Sequence, residues 1–172
     1  RWRGGRTCSA RAGDGQTSIL PARPAAPIVQ LKAGRDGVGE AQSATDDVHS
    51  LGVHVEGPFL APNMCGAQSP ENILVPDEWD CEDLLSYWDG IKIMGAAPEV
   101  KGGMALGGLI RKHGAVASVA HSTADYDIAQ EAFRNGYSDV THLYNACTSC
   151  PKVGVFRHAG TVEAARVKDD VT

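Results

Sequence analysis

The sequence has no long apolar run, no excess of positive charge and no regular set of cysteines. Its hydrophobic stretches fall well short of the ~20 residues that a membrane helix requires, so we expect no membrane partner. A formal net charge of -5 at pH 7 leaves no electrostatic footprint for nucleic acid. The five cysteines are odd in number and irregularly spaced, which argues against a disulfide framework and favours a reducing compartment.

Nucleotide-binding signatures are also missing, because neither GxGxxG nor GxxxxGK[ST] follows an apolar run. Residues 1–12 are rich in arginine and lack apolar periodicity, and we expect them to be disordered or unrelated to the fold. The first residue is Arg1 and the last residues carry no helix cap, which favours a piece of a longer protein. Residues 13–172 then form one domain, which is long enough to bury a core.

Short apolar runs alternate with helical patterns from residue 16 onward. They predict strands at 16–22, 51–57, 91–97, 115–122 and 139–146, and helices at 27–42, 76–90, 104–114 and 123–136. Strands that alternate with helices of this length are typical of βαβ units in a parallel sheet. An open doubly wound sheet and a part of a (β/α)8 barrel both fit, since a whole barrel usually needs about 250 residues.

Polar side chains stand near the ends of three predicted strands. Glu56 precedes the strand-breaking pair Gly57-Pro58, His121 ends its apolar run, and His142 lies 21 residues further on. That spacing equals about one helix and one strand, so the two histidines should lie on adjacent strands. Carboxylate and imidazole groups suit Zn²⁺, Fe²⁺ or Mn²⁺, and such a site could activate water. The pattern alone fits histidines satisfied within a core equally well.

Five motifs in order resemble the N-acetylglucosamine-6-phosphate deacetylases of the amidohydrolase superfamily. They are H-x-E-G-P-F and G-A-Q within "GVHVEGPFLAPNMCGAQ", "APE", "AHSTADY" and "THLYNAC", and the resemblance covers residues 13–172. It implies an α/β fold, a partial (β/α)8 TIM-like barrel of about five to six βα units around a parallel sheet. It also implies one divalent metal ion, Zn or Fe, bound by Glu56, His121 and His142. The implied reaction hydrolyses the acetamide of N-acetylglucosamine 6-phosphate to glucosamine 6-phosphate and acetate.

The same resemblance implies where a sugar phosphate would bind. Asn145 and Ala146 match the family's pair at the phosphate, and Arg157 matches a phosphate-binding arginine. Gln68 stands where many members have a substrate-binding histidine. Cys147 and Cys150 form a lone C-x-x-C, which we interpret as part of a loop over the phosphate site rather than as a redox pair or a zinc knuckle.

The resemblance places the general base, an Asp, beyond residue 172, so we expect this chain alone to be inactive. The parent enzyme is expected to be a cytoplasmic homodimer of amino-sugar metabolism. Two alternatives stay open: a non-catalytic metal- or ligand-binding half-barrel, and another amidohydrolase such as a deaminase. The segments around Asn145 and Arg157 favour a phosphorylated sugar over a free base.

Overall fold

A computed structural model describes residues 14–34, 48–76 and 78–172 of the chain. Its strands are β1 (Ser18–Ile19), β2 (Ala22–Arg23), β3 (His49–Ser50), β4 (Val53–Glu56), β5 (Ile91–Ala96), β6 (Val116–Val119), β7 (Tyr137–Val140), β8 (Lys152–Val153) and β9 (Phe156–Arg157). Its helices are α1 (Ile28–Lys32), α2 (Glu78–Tyr87), α3 (Gly103–Lys112), α4 (Tyr126–Arg134) and α5 (Thr161–Arg166). The predicted end at 1–12 lies outside the described residues. No helix in the described ranges is both long and apolar enough to cross a bilayer.

The central sheet has five parallel strands in the order β2-β4-β5-β6-β7. Helices α2, α3 and α4 each precede the next strand of this sheet, as βαβ units require. A doubly wound sheet reverses its strand order at a switch point, whereas this order runs in one direction. The prediction of a partial (β/α)8 barrel with a parallel sheet is therefore confirmed, and the described strands do not close into a barrel.

The core lies between this sheet and its helices. The side chains buried there come mostly from β4, β5, β6, α2 and α3 and are aliphatic: Val53, Val55, Leu84, Met94, Ala96, Leu106, Ile110, Ala117 and Val119. Burying each large aliphatic side chain stabilises the fold by about 1.5–3 kcal/mol. Helix α3 approaches β7 closely, because a Cβ on Gly107 would lie 2.7 Å from the ring of Tyr137. Because the strands of the sheet are parallel, their carboxyl ends, and the polar groups at or just beyond them, lie at one edge.

Two predicted strands differ from the observed ones. The run 16–22 is divided at Pro21, which cannot donate a ladder hydrogen bond; β1 pairs with β3 in a separate two-stranded sheet, and β2 pairs with β4. The strand predicted at 139–146 occupies Tyr137–Val140 instead. It ends early because His142 has a φ of 39°, in the left-handed region, where a strand cannot continue.

The helix boundaries shift by one to three residues where the full predicted range is described. Helix α4 is capped by Asp125, whose carboxylate accepts a hydrogen bond from the N–H of Ile128 at 2.9 Å. Ser122 and Thr123, which precede the helix, do not cap it, because both side chains donate to the Glu99 carboxylate. Of the helix predicted at 27–42, the described part is α1, and residues 35–42 lie outside the described ranges.

Candidate metal centre

Three strand ends carry Glu56, His121 and His142 to one edge of the sheet. Glu56 is the last residue of β4, and each histidine lies two residues beyond its strand, β6 or β7. His121 and His142 both have positive φ angles, 46° and 39°. A left-handed backbone at a residue other than glycine costs free energy, and such positions concentrate at functional sites. These turns direct both imidazoles back towards Glu56.

The distances show a tight cluster. Glu56 Oε1 lies 2.7 Å from Nε2 of His121 and 3.1 Å from Nε2 of His142. One possible ligand atom from each residue lies within 4.8 Å of the others, and the two rings meet edge to face with centroids 5.0 Å apart. His121 is buried, Glu56 is half-buried and the side chain of His142 is 33% exposed, so the cluster is open to solvent on the His142 side. We call these residues the metal trio.

Backbone carbonyls fix the tautomers of both imidazoles. Nδ1 of His121 lies 2.9 Å from the carbonyl oxygen of Met64, and Nδ1 of His142 lies 2.9 Å from that of Asn145. A carbonyl oxygen only accepts, so each Nδ1 carries a proton and donates it. In the neutral imidazoles the lone pairs are then on Nε2, which face Glu56. A backbone carbonyl behind a ligating imidazole is the usual arrangement around a bound metal.

Electrostatics in the trio favour opposite charges. The hydrogen bond from His121 lowers the pKa of Glu56 to about 2, against the opposing effect of burial. The same hydrogen bond raises the pKa of His121 above its ordinary value, again against burial. In the metal-free protein His121 Nε2 donates to Glu56; metal binding would displace that proton and leave an ionised carboxylate and two nitrogen lone pairs, an anionic N₂O donor set. This set fits a divalent cation such as Zn²⁺ or Fe²⁺.

Gln68 packs directly behind the trio and is only 8% exposed. Its side-chain nitrogen donates to Glu56 Oε1 at 2.9 Å, and its side-chain oxygen accepts from the N–H of Ala25 at 2.8 Å. The resemblance implies that Gln68 binds substrate. That role stays a prediction, and the contact with Glu56 is one that the sequence did not suggest.

The residues predicted at the phosphate fall into two places. Asn145 and Ala146 lie in the turn that follows His142; the N–H of Asn145 donates to the His142 carbonyl at 2.9 Å. The Ala146 carbonyl accepts from the N–H of Ser122 at 3.0 Å, which ties this turn to the segment after His121. Arg157 lies on the exposed β8–β9 hairpin, and its guanidinium donates to the Cys150 carbonyl at 2.9 Å. Their roles at a phosphate stay predictions.

The surroundings of both cysteines in the C-x-x-C pair disfavour the thiolate form. Burial raises the pKa of Cys147, and a hydrogen bond with Glu163 raises that of Cys150. Reactive and metal-binding cysteines need a lowered pKa, since the thiolate is the active form. These thiols therefore fit a loop better than a redox pair.

Some residues that shape the site carry no signal in the sequence. The Met64 carbonyl belongs to a short 3-10 turn, Pro62–Met64, and every residue has such an oxygen. Glu99 is different, because its position after β5 and its acidic side chain were recognisable within "APE". Its carboxylate accepts from the Ser122 hydroxyl at 2.6 Å and from both the N–H and the hydroxyl of Thr123, which anchors the chain just after His121.

A parallel βα sheet with a carboxylate and two imidazoles at the carboxyl ends of its strands is typical of part of a (β/α)8 barrel with a metal site. No family model matches the chain. Among curated proteins it is similar to the N-acetylglucosamine-6-phosphate deacetylase of Lysinibacillus sphaericus, with 36% identity over 59% of this chain and 26% of that protein. It is also similar to the N-acetylglucosamine-6-phosphate deacetylase of Haemophilus influenzae, with 32% identity over 92% of this chain and 40% of that protein.

A solved structure agrees with these relatives. The N-acetyl-D-glucosamine-6-phosphate deacetylase of Mycobacterium smegmatis, determined as a mutant in complex with N-acetyl-D-glucosamine-6-phosphate, superposes with a TM-score of 0.87 at 25% identity. The alignment covers 98% of this chain and 43% of that one. The resemblance to the N-acetylglucosamine-6-phosphate deacetylases is thus confirmed, and the chain spans less than half the length of these relatives.

Proposed function

We propose that this chain supplies the metal-binding part of an amide hydrolase that removes the acetyl group from an N-acetylated amino-sugar phosphate. The substrate would be N-acetylglucosamine 6-phosphate, and the products glucosamine 6-phosphate and acetate. The observation that carries the proposal is the convergence of Glu56, His121 and His142, with both Nδ1 atoms held by carbonyls. The relatives, all of which are longer, support the choice of substrate.

The residues of the trio have distinct parts in this proposal. Glu56 and the Nε2 atoms of His121 and His142 would hold a single Zn²⁺ or Fe²⁺ ion. When bound, such an ion polarises an amide carbonyl and lowers the pKa of a water molecule. The carbonyls of Met64 and Asn145 keep the imidazoles in the tautomer that leaves Nε2 free to ligate.

The substrate would enter from the exposed side of the trio, next to His142. Asn145 and Ala146 lie in the turn on that side, and we propose that this turn contacts the sugar phosphate. Arg157 would complete the phosphate site, since a guanidinium fork matches phosphate geometry. Gln68 was predicted to bind substrate as well, and its contact with Glu56 gives it a different part, argued below.

The proposed hydrolysis also needs a general base. A base must reach the attacking water, and within the described ranges no Asp joins the trio. We propose that an Asp outside these residues takes this role. The 172 residues alone would then bind metal without turnover. We also propose that the active protein is a cytoplasmic homodimer.

Acetate release tests the proposal. A protein of the relatives' length that carries this sequence, loaded with one equivalent of Zn²⁺ or Fe²⁺, should release acetate from N-acetylglucosamine 6-phosphate. Glu56→Gln should abolish this activity, and unphosphorylated N-acetylglucosamine should react far more slowly. Release of ammonia from a nucleobase would instead favour a deaminase. Metal binding without any acetate release would favour a non-catalytic half-barrel.

A further inference from the structure

Gln68 has both ends of its side-chain amide engaged in a buried position. The N–H of Ala25, just after β2, donates to its oxygen at 2.8 Å, and its nitrogen donates to Glu56 Oε1 at 2.9 Å. The Ala25 N–H can only donate, so the amide oxygen must face it and the NH₂ group must face Glu56. The orientation of the amide is therefore fixed by the backbone just after β2.

Glu56 needs such a partner. It is the last residue of β4 and is followed by Gly57, whose φ is 100°, so the strand ends at this residue. Holding a glutamate side chain in one rotamer costs conformational entropy on the order of 1–2 kcal/mol. The oxygen that Gln68 contacts, Oε1, is the same atom that lies 2.7 Å and 3.1 Å from the two imidazoles. Occupying one side of this oxygen directs the other towards His121 and His142.

We infer that Gln68 is a positioning residue that holds the Glu56 carboxylate in the orientation required to bind a divalent ion. The inference deepens the proposed function and rests on it for the identity of the site. It assigns Gln68 a part that acts through Glu56, whereas the family resemblance implies direct contact with substrate. Gln68 is 8% exposed, and its oxygen is already used by Ala25.

The test compares two buried glutamines of equal exposure, one beside the trio and one away from it. Gln130 is also 8% exposed, and its side chain donates one hydrogen bond, to the Ala164 carbonyl at 3.0 Å on the α4–α5 side of the fold. Gln68→Met and Gln130→Met each replace a buried amide by an apolar side chain of similar length. Zn²⁺ affinity is measured by competition with a chromophoric chelator, and the Co²⁺-loaded proteins are compared by visible absorption.

Gln68→Met should bind Zn²⁺ 10–100-fold more weakly, the range found when the partner behind a metal ligand is removed, and should alter the Co²⁺ spectrum. Gln130→Met should bind within about 2-fold of the unsubstituted chain. Thermal melting in EDTA measures the stability of both variants without metal. Equal Zn²⁺ affinity in Gln68→Met and the unsubstituted chain overturns the inference even if acetate is released. Conversely, Zn²⁺ binding that depends on Gln68 upholds the inference even if no protein with this sequence deacetylates the sugar.

A second measurement needs no substitution, in case Gln68→Met does not fold. In ¹⁵N-labelled protein the Gln68 side-chain NH₂ should be protected from exchange and should shift when Zn²⁺ is added, whereas that of Gln130 should not shift. An unmoved Gln68 signal on saturation with Zn²⁺ overturns the inference.

Discussion

Replacing Glu56 by Gln removes the one anionic group of the metal trio, the candidate carboxylate ligand, while keeping its size. Oε1 is the atom nearest to both Nε2 atoms, so the substitution alters the centre of the cluster. Losing a hydrogen-bond partner behind a ligand typically weakens metal binding 10–100-fold. Losing the carboxylate itself should exceed that range, and we expect Zn²⁺ affinity to fall by about 100-fold or more.

The loss of Zn²⁺ affinity in Glu56→Gln can be measured as a difference in thermal stability. At a Zn²⁺ concentration about 100 times the dissociation constant of the unsubstituted chain, binding adds about 2.7 kcal/mol to the free energy of unfolding. At the same concentration Glu56→Gln would gain about 0.4 kcal/mol or less. The difference, about 2.3 kcal/mol, corresponds to about 5–9 °C in melting temperature for a chain of this size.

Calorimetric melting with Zn²⁺ and with EDTA provides the measurement. Glu131→Gln is the matched control, because Glu131 is exposed on α4 and should leave the Zn²⁺-dependent increase unchanged. If Glu56→Gln gained the same increase in melting temperature as the unsubstituted chain, the carboxylate would not be a ligand. The reasoning that places a metal between these three side chains would then be refuted.

In metal-free protein the hydrogen bond with Glu56 raises the pKa of His121 above 6.5. The stability contributed by this hydrogen bond is fully present below pH 6.5 and is lost as the pH rises through the raised pKa of His121. Urea unfolding in EDTA from about pH 5 to about 9 should show this fall, and Glu56→Gln should flatten it. Burial raises the pKa of Glu163, but hydrogen bonds from two backbone N–H groups outweigh this and hold the pKa at about 2. Glu163→Gln should therefore cost about 1 kcal/mol in unfolding free energy near pH 7, and this cost should shrink as the pH falls from 4.5 towards 2. Gly107→Ala should lower the free energy of unfolding by about 1–3 kcal/mol, because the new Cβ would lie 2.7 Å from the ring of Tyr137, the first residue of β7. Gly108→Ala, whose nearest contact would be 3.7 Å, should be neutral or stabilising in the same denaturation assay.

Much of the site was predictable because parallel strands end at one edge. The order of strands and helices predicted Glu56, His121 and His142 near the ends of parallel strands, and the family resemblance favoured a shared metal over histidines satisfied within a core. The exact positions of the histidines were not predictable. Both lie beyond their strands with positive φ, and a non-glycine residue in that conformation carries no local sequence signal. The predicted strand at 139–146 was wrong for this reason.

The parts of the site that the sequence did not indicate are those made by backbone and by amide groups. The carbonyls of Met64 and Asn145 select the imidazole tautomers, yet a carbonyl is common to all residues. Gln68 was noticed only through a family position, and its link to Ala25 depends on a long-range contact between β2 and the loop after β4. The division of the first strand was more accessible, since Pro21 cannot take part in a continuous ladder.

The left-handed turns at His121 and His142 set backbone stability against the geometry of the trio. Each turn costs on the order of 1–2 kcal/mol in a residue with a Cβ atom, and glycine would remove most of that cost. Replacing either histidine by glycine would relieve that cost but would remove an imidazole from the trio. The backbone strain and the candidate ligand are therefore inseparable at both positions.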